Sequence, residues 1–324
     1  MSGAPQISLI IPTLGRRELL RRVLDRLDRQ SERKFEVVVV ADATYGQVTE
    51  LDQLVTSRAF PVRRLQAGLP GASAARNVGW QASSTPLLLF LDDDILPGPR
   101  LVEQHLREHA RHPAPEVGVL GCVRWADELR VTPFMRWLEH GIQFDYPSIE
   151  RNGPVWGHFY TANVSVKREL VQQVGGFDQE HLPFGYEDLD LALRMHQDAG
   201  FRLLYNPAAA AEHVHPMDME FWQRRVVRIA ASERRFVELH PEVPAYFHDM
   251  FSAAAAQPRV ASPPERILRL VPRSVPLLGP RLWSLADCFY RQSLAAPFLR
   301  AWDAARPQAS SGPEASINFG SSGP

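Results

Sequence analysis

The stretch Leu87–Ile95, reading LLLFLDDDI, decides how this chain is read. A short, continuous apolar run is the signature of a strand buried on both faces. Three aspartates, Asp92, Asp93 and Asp94, terminate it. Adjacent carboxylates repel one another, and one strand end must hold all three. A divalent cation relieves that repulsion, and hard ions such as Mg²⁺ or Mn²⁺ take oxygen ligands. Taken alone, the run equally suits a solvated acidic loop, with Asp93 or Asp94 capping a turn before Pro97-Gly98.

Upstream, short apolar runs alternate with amphipathic segments. Ile7 to Ile11 reads as a buried strand ended by Pro12. Arg16 to Gln30 follows as a helix, with Leu19, Leu20, Val23, Leu24 and Leu27 on one face. Val37 to Val40 is a second strand, Gln47 to Arg58 a helix, Val62 to Leu65 a short strand. Ala72 to Ala82 is a helix entered through Gly71. Strands alternating with helices imply a parallel sheet covered on both faces. In such sheets ligands bind outside the carboxyl ends of the strands. Asp42 and the three aspartates both fall at strand C-termini, so they are expected to face one crevice.

Downstream, Val117 to Val123 and Phe159 to Val166 read as strands, and Arg168 to Val174 as a short helix stopped by Gly175-Gly176. Glu187 to Ala199 is a helix with Gly200 as its C-cap. Phe201 to Tyr205 is a strand stopped by Asn206-Pro207, and Phe221 to His240 a long arginine-rich helix. From about residue 242 prolines become frequent, and a small helical appendage is expected over 242–307. A Ser/Gly/Pro-rich tail, 308–324, reads as disordered.

The 324 residues are 45% hydrophobic, enough for a large core, and the formal net charge is -1. That balance argues against a nucleic-acid binder. Lys34 and Lys167 are the only lysines, an arginine preference read first as base composition. Two cysteines, Cys122 and Cys288, make neither a disulfide framework nor a zinc site and fit a reducing compartment. No charged leader with a long apolar run opens the chain, and no run of about 18 apolar residues crosses a membrane. A cytoplasmic protein is expected, with peripheral membrane contact as an option.

Three further constellations carry chemistry. Gly71 precedes ASAARN, in which Arg76 suits a planar phosphate or nucleobase acceptor, or simply a helix surface. Glu187 and Asp188 open a helix, whose N-terminus favours ionised carboxylates. Such a carboxylate serves as a general base, although acids in a first turn are also ordinary helix punctuation. His213 and His215 would share one side of a strand and complete a metal site begun by the aspartates, or be hydrogen-bonded core histidines. Trp156, His158 and Tyr160 alternate along a possible strand, where they stack on a sugar or pack the core.

In this order, the segments ISLIIPT, EVVVVADA, GASAARNVG, LLLFLDDDI, TANVSVKRE, VGGFD, GYEDLDLALR and HVHP resemble family 2 glycosyltransferases over about residues 6 to 240. The resemblance implies the GT-A fold, a Rossmann-like, mostly parallel α/β sheet flanked by helices. It implies inverting transfer from a nucleotide-sugar donor to a glycan, lipid-linked or small-molecule acceptor, with Mn²⁺ or Mg²⁺ as cofactor. Pro12, Thr13 and Asp42 would border the nucleoside, with Arg76 and Asp93 near the nucleotide. Asp94 would hold the metal, Asp92 the ribose or metal shell, and His213, better than His215, the late metal position. Asp188 would be the base, supported by Glu187. Trp156 falls in the stretch expected to contact the acceptor. Two departures stand out: Ala41-Asp42 where many relatives carry a second acid or Asn, and Leu14-Gly15 where Tyr-Asn is usual.

Rival readings are a degenerate domain that only binds nucleotide-sugar or glycan, a sugar-phosphate nucleotidyltransferase, and a dinucleotide-dependent oxidoreductase. The intact DDD, ED and HVH sets oppose the first. The lack of a glycine-rich basic loop in PTLGRREL opposes the second, and the lack of GxGxxG after the first strand opposes the third. From Arg259 to Arg306, eight arginines face Glu265, Asp287 and Asp303. Arg266, Arg269, Arg273 and Arg281 alternate there with apolar residues, as in a lid on the catalytic domain or a surface for anionic lipid.

Overall fold

The apolar runs become the spine of one eight-stranded sheet: β1 (Ile7–Thr13), β2 (Phe35–Ala41), β3 (Val62–Gln66), β4 (Leu87–Leu91), β5 (Ile95–Pro97), β6 (Val117–Trp125), β7 (Asn163–Lys167) and β8 (Arg202–His213). Their spatial order is β3-β2-β1-β4-β7-β6-β8-β5. This computed structural model describes residues 4–46, 49–182, 184–263, 265–271, 274–275 and 277–305. Gln47, Arg273 and the tail from Gln308 lie outside them.

β1 lies between β2 and β4, parallel to both. The chain thus winds to β3 on one side and then crosses to β4, so β1/β4 is the switch point where a crevice opens at the carboxyl ends. β7 is antiparallel to β4 and β6, and β5 is antiparallel to β8. β1, β2 and β4 are buried almost throughout, as expected of strands covered by helices on both faces. The helix Arg17–Leu27 lays Leu20, Val23, Leu24 and Leu27 on the sheet.

Several expected boundaries move. Pro12 does not end β1, which runs on to Thr13 with Pro12 opposite Val40. The β4 ladder stops at Ile10, so only the β2 side is paired where the proline's missing N–H falls. Asn206-Pro207 does not end β8. The register jumps from Gly121 opposite Asn206 to Cys122 opposite Ala210, and the bulge lets the strand continue to His213. Gly121 permits this approach, because a Cβ there would meet the Asn163 amide and the Ala209 carbonyl. Residues 156–158 form a 3₁₀ turn rather than a strand, so Trp156, His158 and Tyr160 do not alternate on one face. His158 Nδ1 accepts the Val155 N–H at 3.0 Å and closes that turn.

Beneath the sheet runs a buried polar chain. Lys167 Nζ donates to His109 Nδ1 (2.9 Å), His112 O (2.9 Å) and Val117 O (3.2 Å). His109 Nε2 meets Ser165 Oγ at 2.8 Å, and Ser165 Oγ meets His105 Nδ1 at 2.8 Å. His105 Nε2 reaches Asn163 Oδ1 at 2.9 Å. One tautomer of each ring satisfies every partner, with both imidazoles neutral. Burial pushes the His105 imidazole down to about 4 and His109 to about 2, the latter helped by the Lys167 charge.

The expected C-terminal helices are Tyr246–Ala255, Glu265–Leu270 and Leu278–Ala304. They share a second apolar core with Trp137 and with Trp222 and Phe236 of the helix Met219–Leu239. Glu233, fully buried, ties this region to the sheet domain. It accepts from Tyr186 Oη (2.5 Å) and from the N–H groups of Phe247 (2.7 Å) and His248 (2.9 Å). No helix among the described residues is long and apolar enough to cross a membrane.

Candidate active site

β4 delivers the three aspartates to the carboxyl edge of the sheet, and the backbone then sends their side chains in different directions. Asp93 turns inward and is 1% exposed. It accepts the Thr13 hydroxyl at 2.5 Å and a guanidinium N–H of Arg16. Burial raises its carboxyl to about 6; Arg16 pulls it down and Asp94 pushes it up. Thr13 therefore points its hydroxyl into the fold. Asp94 accepts from the other arm of Arg16 at 2.5 Å. Asp92 faces the opposite way and accepts from Arg76 at 3.0 Å.

Arg76 is not a surface arginine. It is 4% exposed and bridges Asp92 to Glu187, 2.8 Å away. Its helix, Ala72–Ala82, is entered through Gly71 at φ 110°, which favours glycine. The Gly71 N–H donates to Asp42 at 2.7 Å, and Thr44 donates to Asp42 through both N–H (2.8 Å) and hydroxyl (2.6 Å). Burial opposes ionisation of Asp42, yet these hydrogen bonds outweigh it and hold its carboxyl below the usual range. Asp42 thus organises the loop that launches the Arg76 helix, with Pro12 half-buried beside it on β1.

Glu187 and Asp188 open the helix Glu187–Ala199, and Gly200 caps it in the left-handed conformation as expected. At Asp188 the surroundings work against the ionisation that a helix N-terminus favours. Burial, followed by the adjacent Glu187 charge, pushes its carboxyl up to about 7 against the pull of Arg76. Desolvation and a like charge outweigh the dipole here. Glu187 keeps one buried oxygen, Oε2, without a partner.

His213 ends β8 opposite Ile95, and the Val214 N–H donates to the Asp94 carbonyl at 3.1 Å. His213 and Asp94 are thereby neighbours across two strands. Burial lowers the imidazole, Asp94 opposes this, and the ring is neutral at pH 7. Its Nδ1 faces the His215 N–H at 3.3 Å, which leaves Nε2 as the donor atom for a cation. His215 lies beyond the strand, its ring centre 6.4 Å from that of His213. Trp156 packs between the two apolar cores.

No three His, Cys, Asp or Glu side chains converge as a metal cage among the described residues. The expected set of Asp92, Asp94 and His213 is split by the turn of Asp92 toward Arg76. The remaining pair still fits the implied ion. Mg²⁺ and Mn²⁺ commonly take one or two protein ligands and complete their shell with phosphate oxygens and water. Asp94 offers a hard oxygen and His213 a neutral nitrogen. Arg16 neutralises the carboxylate.

Two residues escaped the sequence reading. Arg16 was read only as the start of the first helix, although its position three residues after Thr13 put it at the strand's carboxyl edge. Arg225, from the helix Met219–Leu239, has its Nε buried without a partner. Its guanidinium makes no hydrogen bond among the described residues and lies 5.7 and 5.6 Å from the rings of Phe184 and Trp222. Burial lowers its pKa, and the carboxylates of Glu187, Asp92 and Asp94 oppose that shift. Only its i+3 spacing from Trp222 marked it in the sequence.

The same architecture occurs in a mannosyltransferase from Pyrobaculum calidifontis solved with GDP-Man and Mn²⁺, at a TM-score of 0.59 and 21% identity over 93% of this chain and 88% of that one. Residues 1–349 of TarS from S. aureus, solved with UDP, align at a TM-score of 0.50 and 16% identity over 89% and 90% of the two chains. The GT-A fold expected from the sequence is the fold found. Among sequence relatives, validoxylamine A glucosyltransferase of Streptomyces hygroscopicus subsp. jinggangensis is 30% identical over 271 residues, 75% of this chain and 63% of that protein. Pre-mycofactocin glycosyltransferase of Mycobacterium tuberculosis is 28% identical over 241 residues, 73% of this chain and 48% of that protein. The chain thus spans less than two thirds of these relatives' own length. The model of the family described as Glycosyltransferase like family 2 matches residues 5–231, from the first strand into the helix bearing Arg225. With most of its length matched, crevice included, the chain belongs to glycosyltransferase-like family 2.

Proposed function

We propose that this protein is an inverting, metal-dependent glycosyltransferase that moves a sugar from a nucleoside diphosphate donor to an acceptor hydroxyl. The carrying observation is the pair of contacts made by Arg76, which joins Asp92 on the donor side of the crevice to Glu187, next to Asp188, on the other. Relatives named as glycosyltransferases and neighbours solved with GDP-Man and Mn²⁺ or with UDP support the donor class.

In this reading Asp188 takes the proton from the acceptor hydroxyl. The freed oxygen attacks the anomeric carbon, and the bond to the diphosphate breaks with its electron pair on the phosphate oxygen. Attack from the face opposite the leaving group inverts the configuration. Glu187, gripped by Arg76, fixes the turn that carries Asp188. Asp94 and His213 would hold the divalent cation, which when bound would stabilise negative charge on the diphosphate. Arg16, Arg76 and Arg225 supply guanidinium groups around the anion. Asp42 keeps the Gly71 loop in place, and Pro12, Thr13 and Asp93 form the floor beneath the nucleoside.

Nucleoside diphosphates and nucleotide sugars, with and without Mn²⁺, are screened by thermal shift on the wild type, Asp94→Ala and Asp188→Asn. Stabilisation by one nucleotide that needs Mn²⁺, disappears in Asp94→Ala and persists in Asp188→Asn is expected, with transfer abolished in Asp188→Asn. Near-normal turnover in Asp188→Asn would remove it as the base. A folded protein stabilised by no nucleotide would leave a degenerate binding domain.

A further inference from the structure

Eleven large apolar side chains are exposed among the described residues, and six of them lie between Ile267 and Leu285. The other five are scattered singly, which is ordinary for a protein surface. Leu270 is 81% exposed, Leu277 80% and Leu278 55%, with Ile267, Val275 and Leu285 alongside. Core packing does not need them. The same segment buries a different face through Leu268, Trp283, Ala286 and Tyr290. Along the helix Leu278–Ala304, Leu278 and Leu285 lie two helical turns apart and exposed, while Leu282 between them packs against that core.

Charge decides what covers this face. Glu265 is paired by Arg269 at 2.6 Å and Asp287 by Arg291 at 2.9 Å. Arg266 and Arg281, both exposed, have no acidic partner among the described residues. Clustered leucines flanked by uncompensated guanidiniums match a surface that is apolar within and anionic at its edge. A bilayer of anionic phospholipid has that profile. A second copy of this chain fits less well, since a self-complementary pairing would bring like charges toward one another.

We propose that the exposed side chains of Ile267, Leu270, Val275, Leu277, Leu278 and Leu285, flanked by Arg266 and Arg281, dock this protein on the surface of an anionic lipid bilayer. It lies on the membrane without crossing it. The buried face of the helix Leu278–Ala304 lines a cavity. Trp283 and Trp125 both line this cavity of about 520 Å³, and the Trp125 ring packs edge-on against His213 at 5.2 Å. The docking itself does not depend on the glycosyltransferase reading.

The full chain is floated through a density gradient with vesicles of pure phosphatidylcholine and with vesicles containing phosphatidylglycerol, at low and high salt. Two variants are compared, Leu270→Glu/Leu278→Glu/Leu285→Glu and Arg266→Ala/Arg281→Ala. Thermal melts and sedimentation of each protein without lipid accompany the flotation. The wild type is expected to float with the phosphatidylglycerol vesicles, less so at high salt. The leucine variant is expected to stay behind at an unchanged melting temperature, and the arginine variant to partition roughly twentyfold more weakly. Wild type that fails to float at low salt would overturn the proposal. So would a leucine variant that floats normally, or a dimer that the leucine variant dissociates while no form binds vesicles.

Discussion

Arg76 and Glu187, separated by 111 positions in sequence, form an ion pair at 2.8 Å with side-chain exposures of 5% and 8%. Removing one partner of such a pair leaves a charge in the interior, and Glu187 already has one buried oxygen unsatisfied. Arg76→Ala is expected to cost about 3–5 kcal/mol of folding stability. Urea unfolding of the variant against the wild type measures it. A loss below about 1 kcal/mol would mean that water or a neighbouring group replaces the arginine.

The Asp188 carboxyl, raised to about 7 by burial and by Glu187, gives a pH profile its sign. Below that value Asp188 is protonated and accepts no proton from the acceptor. Turnover is expected to fall by about tenfold per pH unit below 7 and to level off above it. Glu187→Gln removes the neighbouring negative charge and shifts the profile toward acid. Initial rates of nucleoside diphosphate release between pH 5 and 9 test both statements.

Arg16 and a divalent cation compete for the same carboxylate of Asp94. Arg16→Ala frees that oxygen and is expected to tighten Mn²⁺ binding roughly five- to tenfold, about the Coulomb energy of one half-exposed pair. Calorimetric titration of Mn²⁺ into the nucleotide-free protein reads this directly. Equal affinity in the two proteins would place the ion away from Asp94.

Arg225 has a buried Nε and no hydrogen bond among the described residues, so its replacement separates folding from ligand binding. Arg225→Met is expected to leave the melting temperature equal or higher. Nucleoside diphosphate affinity should drop roughly 10- to 100-fold, the effect of one charge-assisted hydrogen bond. A loss of stability with unchanged affinity would assign Arg225 to the fold alone.

His105, buried and neutral, makes the core sensitive to acid. Its folded pKa lies below the unfolded value of 6.5, so its stabilisation is complete above pH 6.5 and is lost as pH falls toward about 4. A displacement of that size corresponds to at most about 3 kcal/mol. Chemical denaturation at pH 7.5, 5.5 and 4.5 should follow that slope, and His105→Gln should flatten part of it.

Legibility followed continuity of pattern. Leu87–Leu91, Ala72–Ala82 and Glu187–Ala199 occur with the boundaries read from sequence, because an unbroken apolar run or a helical period marked each one. β8 was cut short at Asn206-Pro207, since a local rule about proline carries no information on a bulge set by the facing strand. The Trp156 segment imitated strand alternation within a 3₁₀ turn, where three residues are too few to separate periods of two and three. In the site, the residues that bear charge at strand ends were legible. Which of them face one another was not. Asp93 points into the fold and Asp92 crosses to Arg76, directions set by a turn whose dihedral angles leave no trace in composition. Arg16 and Arg225 were hidden by abundance, since arginine is this chain's default cation.

That default is suspended once inside the protein. Of 36 basic residues only two are lysines, and one of them is Lys167. Its three acceptors surround a single nitrogen, an arrangement that suits a compact tetrahedral ammonium and that a flat guanidinium fork cannot reproduce. Lys167→Arg, innocuous by the usual tables of similarity, is therefore a disruptive change here. In a sequence so biased toward one cation, the exception marks a place where shape overrules codon preference.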